Sequence, residues 1–166
     1  MAEITVAQIS KLRQQTGAGM MDCKKALTET DGDVEAAVEW LRKKGAATAE
    51  KKSSRTTLEG IIARNLTPDG KKGTLVEINC ETDFVAKNEK FQDFCNEVAT
   101  MYCENPEVDL EEKRTKAVAE TGENIQLSRN ESLSIEGSGA VAAYIHHGAK
   151  VGVLIAVATG KEETTE

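Results

Sequence analysis

The 166-residue sequence predicts an α+β fold, with an N-terminal bundle of three helices, a linker, and an antiparallel β-sheet core with helices packed on one face. Three observations predict this class. Apolar residues recur at helical spacing through the first 45 residues. Two strand–turn–strand patterns lie farther along the chain, and a long helical pattern lies between them. Strands and helices that follow one another without regular alternation are typical of α+β proteins.

The N-terminal segment, residues 1–45, predicts three short helices. The first follows a capping box, in which Thr5 caps the helix and Gln8 reaches back to it. The second covers about residues 20–30. The third begins after an Asp33 cap and ends at the last residue of the segment, where basic side chains complement the helix dipole.

Composition divides the chain after this bundle. The linker that follows carries no large apolar side chain, although its Ala, Glu and Lys residues allow a helical extension. We expect five parts in all: a bundle at 1–45, a linker at 46–57, a first core subdomain at 58–136 with a hairpin, helices and a third strand, the hairpin of a second core subdomain at 137–159, and a polar tail at 160–166.

The first core subdomain opens on a hairpin, because the turn sequence at residues 67–70 separates two apolar strand patterns. Thr82 then caps the strongest helical pattern of the chain, which runs to about Cys103. A shorter helix and a half-buried strand are expected after it, at about residues 109–119 and 125–135.

An internal repeat links the two hairpins at an offset of 79 residues. Both copies read as strand, turn, strand, but the helices after the first hairpin have no counterpart after the second. A hairpin with an apolar face needs a covering surface, so the second must pack on the first sheet or be covered otherwise. The aligned residues are Gly60, Ile62, Ala63, Lys71, Gly73, Leu75, Val76 and Ile78 with Gly139, Val141, Ala142, Lys150, Gly152, Leu154, Ile155 and Val157.

The charge distribution favours a protein partner over nucleic acid. Residues 1–57 carry 10 basic and 8 acidic side chains, whereas residues 58–166 carry 11 basic and 20 acidic ones, for net charges of +2 and −9. Nucleic-acid binding depends mainly on Lys and Arg, which an acidic body does not supply.

The apolar runs, the N-terminal residues and the cysteines indicate where in the cell the protein is located. No apolar run approaches the length that spans a bilayer, and the N-terminus resembles neither a secretory signal nor a transit peptide, so we expect a cytoplasmic protein without a membrane partner. The four cysteines lack Cys-x-x-Cys spacing and are expected to be reduced thiols.

Motifs for catalysis are missing from the sequence, which contains neither a P-loop nor a Gly-x-Ser-x-Gly elbow. His146 and His147 are adjacent, and on a strand they would point to opposite faces and could not share a metal ion. We therefore expect no catalytic residue, no metal site and no cofactor.

Two segments have unusual composition. Residues 16–22 form a tight inter-helix turn followed by Met20 and Met21, and methionines suit either a core or an adaptable contact surface. Residues 79–88 carry the chain from a strand into a helix, with Phe84 in the first helical turn. That aromatic side chain is either a core plug or an exposed wedge, and spacing alone favours the plug.

Three sequence motifs follow one another in the chain: TGAGMMDCKKAL at residues 16–27, NCETDFVAKN at 79–88, and YIHHG at 144–148 followed by GVL at 152–154. Their sequence, order and spacing together resemble the bacterial elongation factor Ts family. The resemblance covers nearly the whole chain. It implies a guanine-nucleotide exchange factor for the GTPase elongation factor Tu, with an N-terminal bundle of the ubiquitin-associated type that docks on the GTPase.

The resemblance also implies roles for individual residues. Thr82, Asp83, Phe84 and Val85 match the segment associated with dislodging Mg²⁺ from the partner, which favours the wedge interpretation of the aromatic. The partner-binding residues would be Met20, Met21, His146, His147 and Gly148.

The sequence departs from the family pattern after the second hairpin, where family members normally continue with further helices and a strand. We therefore expect the second half of the core to be truncated. The alternative function is a docking module that binds elongation factor Tu without efficient exchange, and the oligomeric state stays open.

Overall fold

The computed structural model describes residues 4–160, and within that range it contains six helices and five strands, which confirms the α+β class. The predicted polar tail lies outside the described residues, apart from Gly160. The elements are α1 (Val6–Thr16), α2 (Met20–Glu29), α3 (Val34–Lys52), β1 (Glu59–Leu66), β2 (Lys72–Cys80), α4 (Asp83–Ala86), α5 (Glu89–Glu104), α6 (Glu111–Thr121), β3 (Gln126–Ser134), β4 (Gly139–Ile145) and β5 (Gly152–Ala158).

Side-chain caps explain where α1 and α3 begin, whereas α2 begins after Gly19 without one. Thr5 and Gln8 form the predicted capping box at α1, and the Asp33 carboxylate accepts from the Ala36 amide at α3. A small core of residues from the three helices lies between them. Its buried members are Ile9, Leu12, Cys23, Ala26, Leu27 and Ala37.

Helix α3 does not end at Gly45, and that prediction is wrong. The helix continues to Lys52 through the part of the linker rich in Ala, Glu and Lys, which are good helix formers. Gly45 itself is buried, and its Cα faces Thr115 and Ala119 of α6, where a β-carbon would lie 3.6 and 3.8 Å from their side-chain carbons.

The chain forms two compact units, whose borders differ from the predicted segments. Among the described residues, unit 1 comprises 4–54 together with 112–124, so α6 joins the N-terminal helices; unit 2 comprises 55–111 and 125–160. Gly17 shows why α6 belongs to unit 1. It ends α1 with φ of 71°, and a β-carbon there would overlap the Glu120 side chain.

Unit 2 is built on the antiparallel sheet β1-β2-β3, with α5 packed on one face. The predicted helix from Thr82 to Cys103 is interrupted, because Asn88 provides a second N-cap and accepts from the Lys90 amide at 2.9 Å. The break leaves α4 as a single turn ahead of α5, whose Phe91 lies in the core.

The second hairpin, β4-β5, packs on the other face of the sheet and repeats the geometry of β1-β2. The Ile62 amide donates to the Ala149 carbonyl at 2.7 Å, and the Val141 amide donates to the Gly70 carbonyl at the same distance. Each residue of the first bond lies 79 positions from its counterpart in the second. The sequence repeat therefore corresponds to an approximate two-fold relation between the hairpins.

The outer face of β4-β5, in contrast, is exposed. Val153, Ile155 and Val157 face solvent, whereas their counterparts Thr74, Val76 and Ile78 are buried in the first hairpin. No helix in the described part of the chain is long and apolar enough to cross a membrane.

Candidate functional site

Phe84 lies on the single-turn helix α4 and is the most exposed large aromatic among the described residues, at 82% of its full accessibility. The Val85 amide donates to the Thr82 hydroxyl at 3.4 Å, which fixes the start of the turn, while Ala86 is buried beneath it. The interpretation of Phe84 as a core plug is wrong, because its side chain is exposed, on a turn that ends at Ala86 before the helix that carries the buried Phe91 begins.

Asp83 and Lys87 bracket this turn with an ion pair, whose Nζ–Oδ2 distance is 2.6 Å. The hydrogen bond from Lys87 holds the pKa of the Asp83 carboxyl below its ordinary value. In return, Asp83 and, more weakly, the Glu59 carboxylate raise the pKa of the Lys87 ammonium. The turn therefore presents an apolar side chain flanked by charges that stay ionised near neutral pH.

His146, His147 and Gly148 lie in the turn between β4 and β5. The turn is closed by the His146 amide, which donates to the Val151 carbonyl at 2.8 Å. Gly148 has φ of 86°, a backbone conformation that favours glycine. The His146 ring lies beside Tyr144, with 3.1 Å between Nδ1 and the phenolic oxygen, while His147 is exposed.

The first residues of β1 connect both segments. The Lys150 ammonium, just after the histidine turn, pairs with the Glu59 carboxylate at 2.5 Å. The carbonyl of Ala149 accepts from Ile62 on the outer edge of β1. Glu59 is also paired in the sheet with Cys80, the residue of β2 that leads into α4, so the structure brings the histidine turn and the α4 turn to the same strand within unit 2.

Met20 and Met21 begin α2 in unit 1, and both are exposed. A core role for either is therefore excluded, and the core of this helix is formed by Cys23, Ala26 and Leu27. An ion pair of 2.5 Å between Asp22 and Lys44 holds the start of α2 against α3. The two methionines form an adaptable apolar surface of the kind that suits protein contacts.

The arrangement offers little for covalent chemistry. Within residues 4–160, no group of three or more His, Cys, Asp or Glu side chains is placed to hold a metal ion. All four cysteines are buried free thiols, and burial raises the pKa of the Cys95 thiol far above its ordinary value. A buried thiol of this kind is a poor nucleophile.

Two models of known protein families match this chain, and they show to which family it belongs. A family model described as Elongation factor TS matches residues 81–166, which is more than half of the chain, and one described as Elongation factor Ts, mitochondrial, N-terminal matches residues 1–49. The chain belongs to the elongation factor Ts family. The first of these matches contains the α4 and histidine turns, and the second contains both methionines.

Individual members of the elongation factor Ts family agree with this assignment. The chain is 48% identical to Elongation factor Ts of Trichlorobacter lovleyi over 96% of its own length and 56% of the relative's. It is 46% identical to that of Symbiobacterium thermophilum over 98% of the chain and 56% of the relative, and 45% identical to that of a Nostoc species over 93% and 54%. The chain therefore spans about half the length of the relatives it matches.

Sequence reasoning missed three residues of this surface. Glu59 and Lys150 join the two turns, and Ala149 adopts φ of 54°, which is uncommon for a residue with a β-carbon. The repeat offset contained a signal for two of them, because it aligns Lys150 with Lys71 and Ala149 with Gly70.

Proposed function

We propose that the chain acts in translation elongation as a guanine-nucleotide exchange factor, which binds elongation factor Tu in its GDP-bound state, displaces Mg²⁺ and promotes GDP release. The observation that carries the proposal is the exposure of Phe84 on a one-turn helix, within a segment of the elongation factor Ts family. An aromatic side chain held in solvent by a fixed turn is suited to insert into a partner.

The proposed mechanism requires no catalytic residue in this chain. A factor that binds the nucleotide-free GTPase more tightly than the GDP-bound form must weaken GDP binding by the same factor. A bound Mg²⁺ ion is the largest positive charge at a nucleotide's phosphates, so a contact that displaces it lowers GDP affinity strongly. GTP then fills the empty site and the factor dissociates.

Each surface has a proposed role in this cycle. Phe84 supplies the apolar wedge, while Thr82 and Asp83 fix the turn that carries it and Val85 completes the segment. Met20 and Met21 provide the docking surface of unit 1. His146, His147 and Gly148 form a second contact at the end of unit 2. The remaining parts of the proposal are a cytoplasmic location and a protein rather than nucleic-acid partner.

The test is release of a fluorescent GDP analogue from purified elongation factor Tu. We expect the chain to accelerate release, and we expect Phe84→Ala to reduce the acceleration about 10- to 100-fold, as for a central interface aromatic. Ile155→Ala removes another exposed apolar side chain of unit 2 and should leave release unchanged. If Mg²⁺ displacement contributes, the acceleration should shrink in Mg²⁺-free buffer, where the ion has already left.

A second candidate is a docking module that binds elongation factor Tu without efficient exchange. It is favoured by the exposure of Met20 and Met21, which gives the chain an apolar contact surface besides Phe84. Binding without accelerated release, unchanged by Phe84→Ala, would support this alternative. Absence of binding would contradict both candidates.

A further inference from the structure

The approximate two-fold relation between the hairpins fails at one pair of lysines. Lys71 donates to the backbone carbonyls of Gly137 and Gly139, both at 2.8 Å. Its counterpart Lys150 makes an ion pair of 2.5 Å with the Glu59 carboxylate instead of binding the carbonyls that the repeat would supply. The deviation lies at the end of unit 2 that carries the histidine turn.

The position of Glu59 in the repeat explains the difference. Its counterpart in the second hairpin is Ser138, which carries no charge. The first hairpin therefore has a carboxylate where the second has a hydroxyl, and that carboxylate attracts the Lys150 ammonium. An ion pair between side chains replaces a bond from a side chain to the backbone.

Glu59 also lies beside the turn that carries Phe84, because in the sheet it is paired with Cys80, the last residue of β2, two residues before the Thr82 cap of α4. Its charge contributes to the raised pKa of Lys87, whose main partner is Asp83 at 2.6 Å. The four side chains alternate in charge along a row, which begins in the segment after the histidine turn, crosses the first residue of β1 and ends on α4. An ion pair joins the two residues at each end of the row, and only the effect of the Glu59 charge on Lys87 links the two pairs.

Global stability does not account for this row, because its members are partly exposed and such ion pairs contribute little to the free energy of unfolding. What the row can determine is local geometry. The segments that it joins carry Phe84 and the histidines, the two groups of unit 2 that are proposed to meet the partner.

We propose that Glu59 is a positioning residue, which holds the histidine turn and the Phe84-bearing turn at one spacing for simultaneous contact with the partner. Its role in exchange rests on the proposed function, whereas its effect on the turn can be measured in this chain alone. The opposite end of the repeat, where Lys71 binds backbone carbonyls and makes no such ion pair, provides an internal reference in the same chain.

Amide hydrogen exchange provides the measurement in the chain alone. The Ile62 amide donates to Ala149 beside the ion pair, and the Val141 amide donates to Gly70 at the opposite end, both at 2.7 Å. In Glu59→Gln we expect exchange of the Ile62 amide to accelerate about 3- to 10-fold through local opening, with no change at Val141. Lys71→Met is the matched control and should produce the reverse pattern.

Two further readouts separate the ion pair from a general structural role. The double variant Glu59→Gln with Lys150→Met should exchange no faster at Ile62 than the faster single variant, because both remove one interaction. Added salt should accelerate the Ile62 amide in the wild type but not in either variant, since only the wild type has the pair to screen. Equal acceleration at Ile62 and Val141 in Glu59→Gln, or no change at Ile62, would overturn the inference.

GDP release connects the residue to function. In Glu59→Gln the concentration for half-maximal acceleration should rise about 3- to 10-fold, the size of change given by a weakened interface contact, with a smaller effect on the maximal rate. Normal release in this variant, where the wild type accelerates release, would overturn the inference. A wild type that never accelerates release would contradict the proposed function instead, and the amide measurement would still decide whether Glu59 positions the turn.

Discussion

The hairpins β1-β2 and β4-β5 share a sequence pattern and an inner packing arrangement, yet their outer faces have opposite environments. Val76 is 1% exposed beneath α5, whereas its counterpart Ile155 is 52% exposed. On the inner side, both hairpins use a glycine at the point of closest approach, Gly73 in one and Gly152 in the other.

The comparison shows which properties of a hairpin follow from its own sequence and which depend on the elements that pack against it. Both hairpins form with full antiparallel pairing, so alternating apolar residues and turn chemistry suffice for the local structure. Burial of the outer residues depends on the presence of a covering helix. The hydrophobic stabilisation of the two hairpins should therefore differ, although their backbones agree.

The largest expected contrast is in thiol reactivity. Val76→Cys and Ile155→Cys place one new thiol at equivalent positions, against four buried native cysteines. We expect the thiol at position 155 to react with iodoacetamide at least about 100-fold faster, because the thiol at position 76 reacts only after local opening. Raising the pH from 7 to 8.5 should speed the exposed thiol, whereas Cys95 stays protonated because burial raises its pKa.

Similar rates at the two positions would contradict the exposed outer face. A rate at position 155 that falls as the protein concentration rises would show that a second copy covers this face, and would thereby determine the oligomeric state. The same labelling in 6 M urea, roughly the condition that unfolds most small domains, is the control for the intrinsic reactivity of the two thiols.

The next contrast is in stability. Ile78→Ala should lower the free energy of unfolding by about 2–5 kcal/mol, because it leaves a cavity beneath α5, whereas Val157→Ala should cost less than about 1 kcal/mol at an exposed position. Urea unfolding followed by circular dichroism measures both. Equal costs would mean that the outer face of the second hairpin is covered in solution.

The inner faces of the two hairpins, which pack against each other, should respond alike to the substitution of glycine by alanine. A β-carbon at Gly73 would lie 2.6 Å from a Leu66 methyl and 2.9 Å from Val141, and one at Gly152 would lie 2.9 Å from Ile62. Gly73→Ala and Gly152→Ala should each lower the free energy of unfolding by about 1–3 kcal/mol through overpacking, with the larger effect at Gly73. A cost at only one glycine, in the same urea experiment, would contradict the shared inner packing.

Local signals in the sequence predicted the parts of the fold that depend on local bonds. The caps at Thr5, Asp33 and Thr82 each bind a backbone amide within three residues, so they are visible in a short window of sequence. The predicted end of α3 is too early, because Gly45 does not stop the helix: good helix formers follow it, and it is packed by α6, which comes about 70 residues later in the chain. Local propensity contains no information about that contact.

The candidate site also has a part that the sequence could predict and a part that it could not. The motifs contained Phe84 and the histidines, but spacing favoured burial of Phe84, because the cap at Asn88 that ends its helical register was overlooked. The pair of Glu59 with Lys150 joins residues 91 positions apart, and a single sequence gives no reason to pair them. The only sign of this ion pair in the sequence is the alignment of Lys150 with Lys71 in the repeat.

The smallest expected contrast concerns Ala149 and Gly70, the turn residues whose carbonyls accept the hydrogen bonds between the two hairpins. Ala149 has φ of 54°, whereas its counterpart Gly70 has φ of 65°. An alanine in this conformation costs about 1–2 kcal/mol, and the greater freedom of glycine in the unfolded chain offsets about 0.4–1 kcal/mol of it. Ala149→Gly should therefore raise the free energy of unfolding by up to about 1.6 kcal/mol, and Gly70→Ala should lower it by a similar amount.

The reason for the strain can be tested with the same variant. A β-carbon at Gly70 would meet no atom within 4 Å, so the cost there is conformational only, and the pair of variants isolates the backbone effect. If Ala149→Gly stabilises the chain but slows GDP release from elongation factor Tu, the alanine restricts the histidine turn for partner contact. If stability rises and release is unchanged, the position carries strain that serves neither the fold nor the proposed exchange.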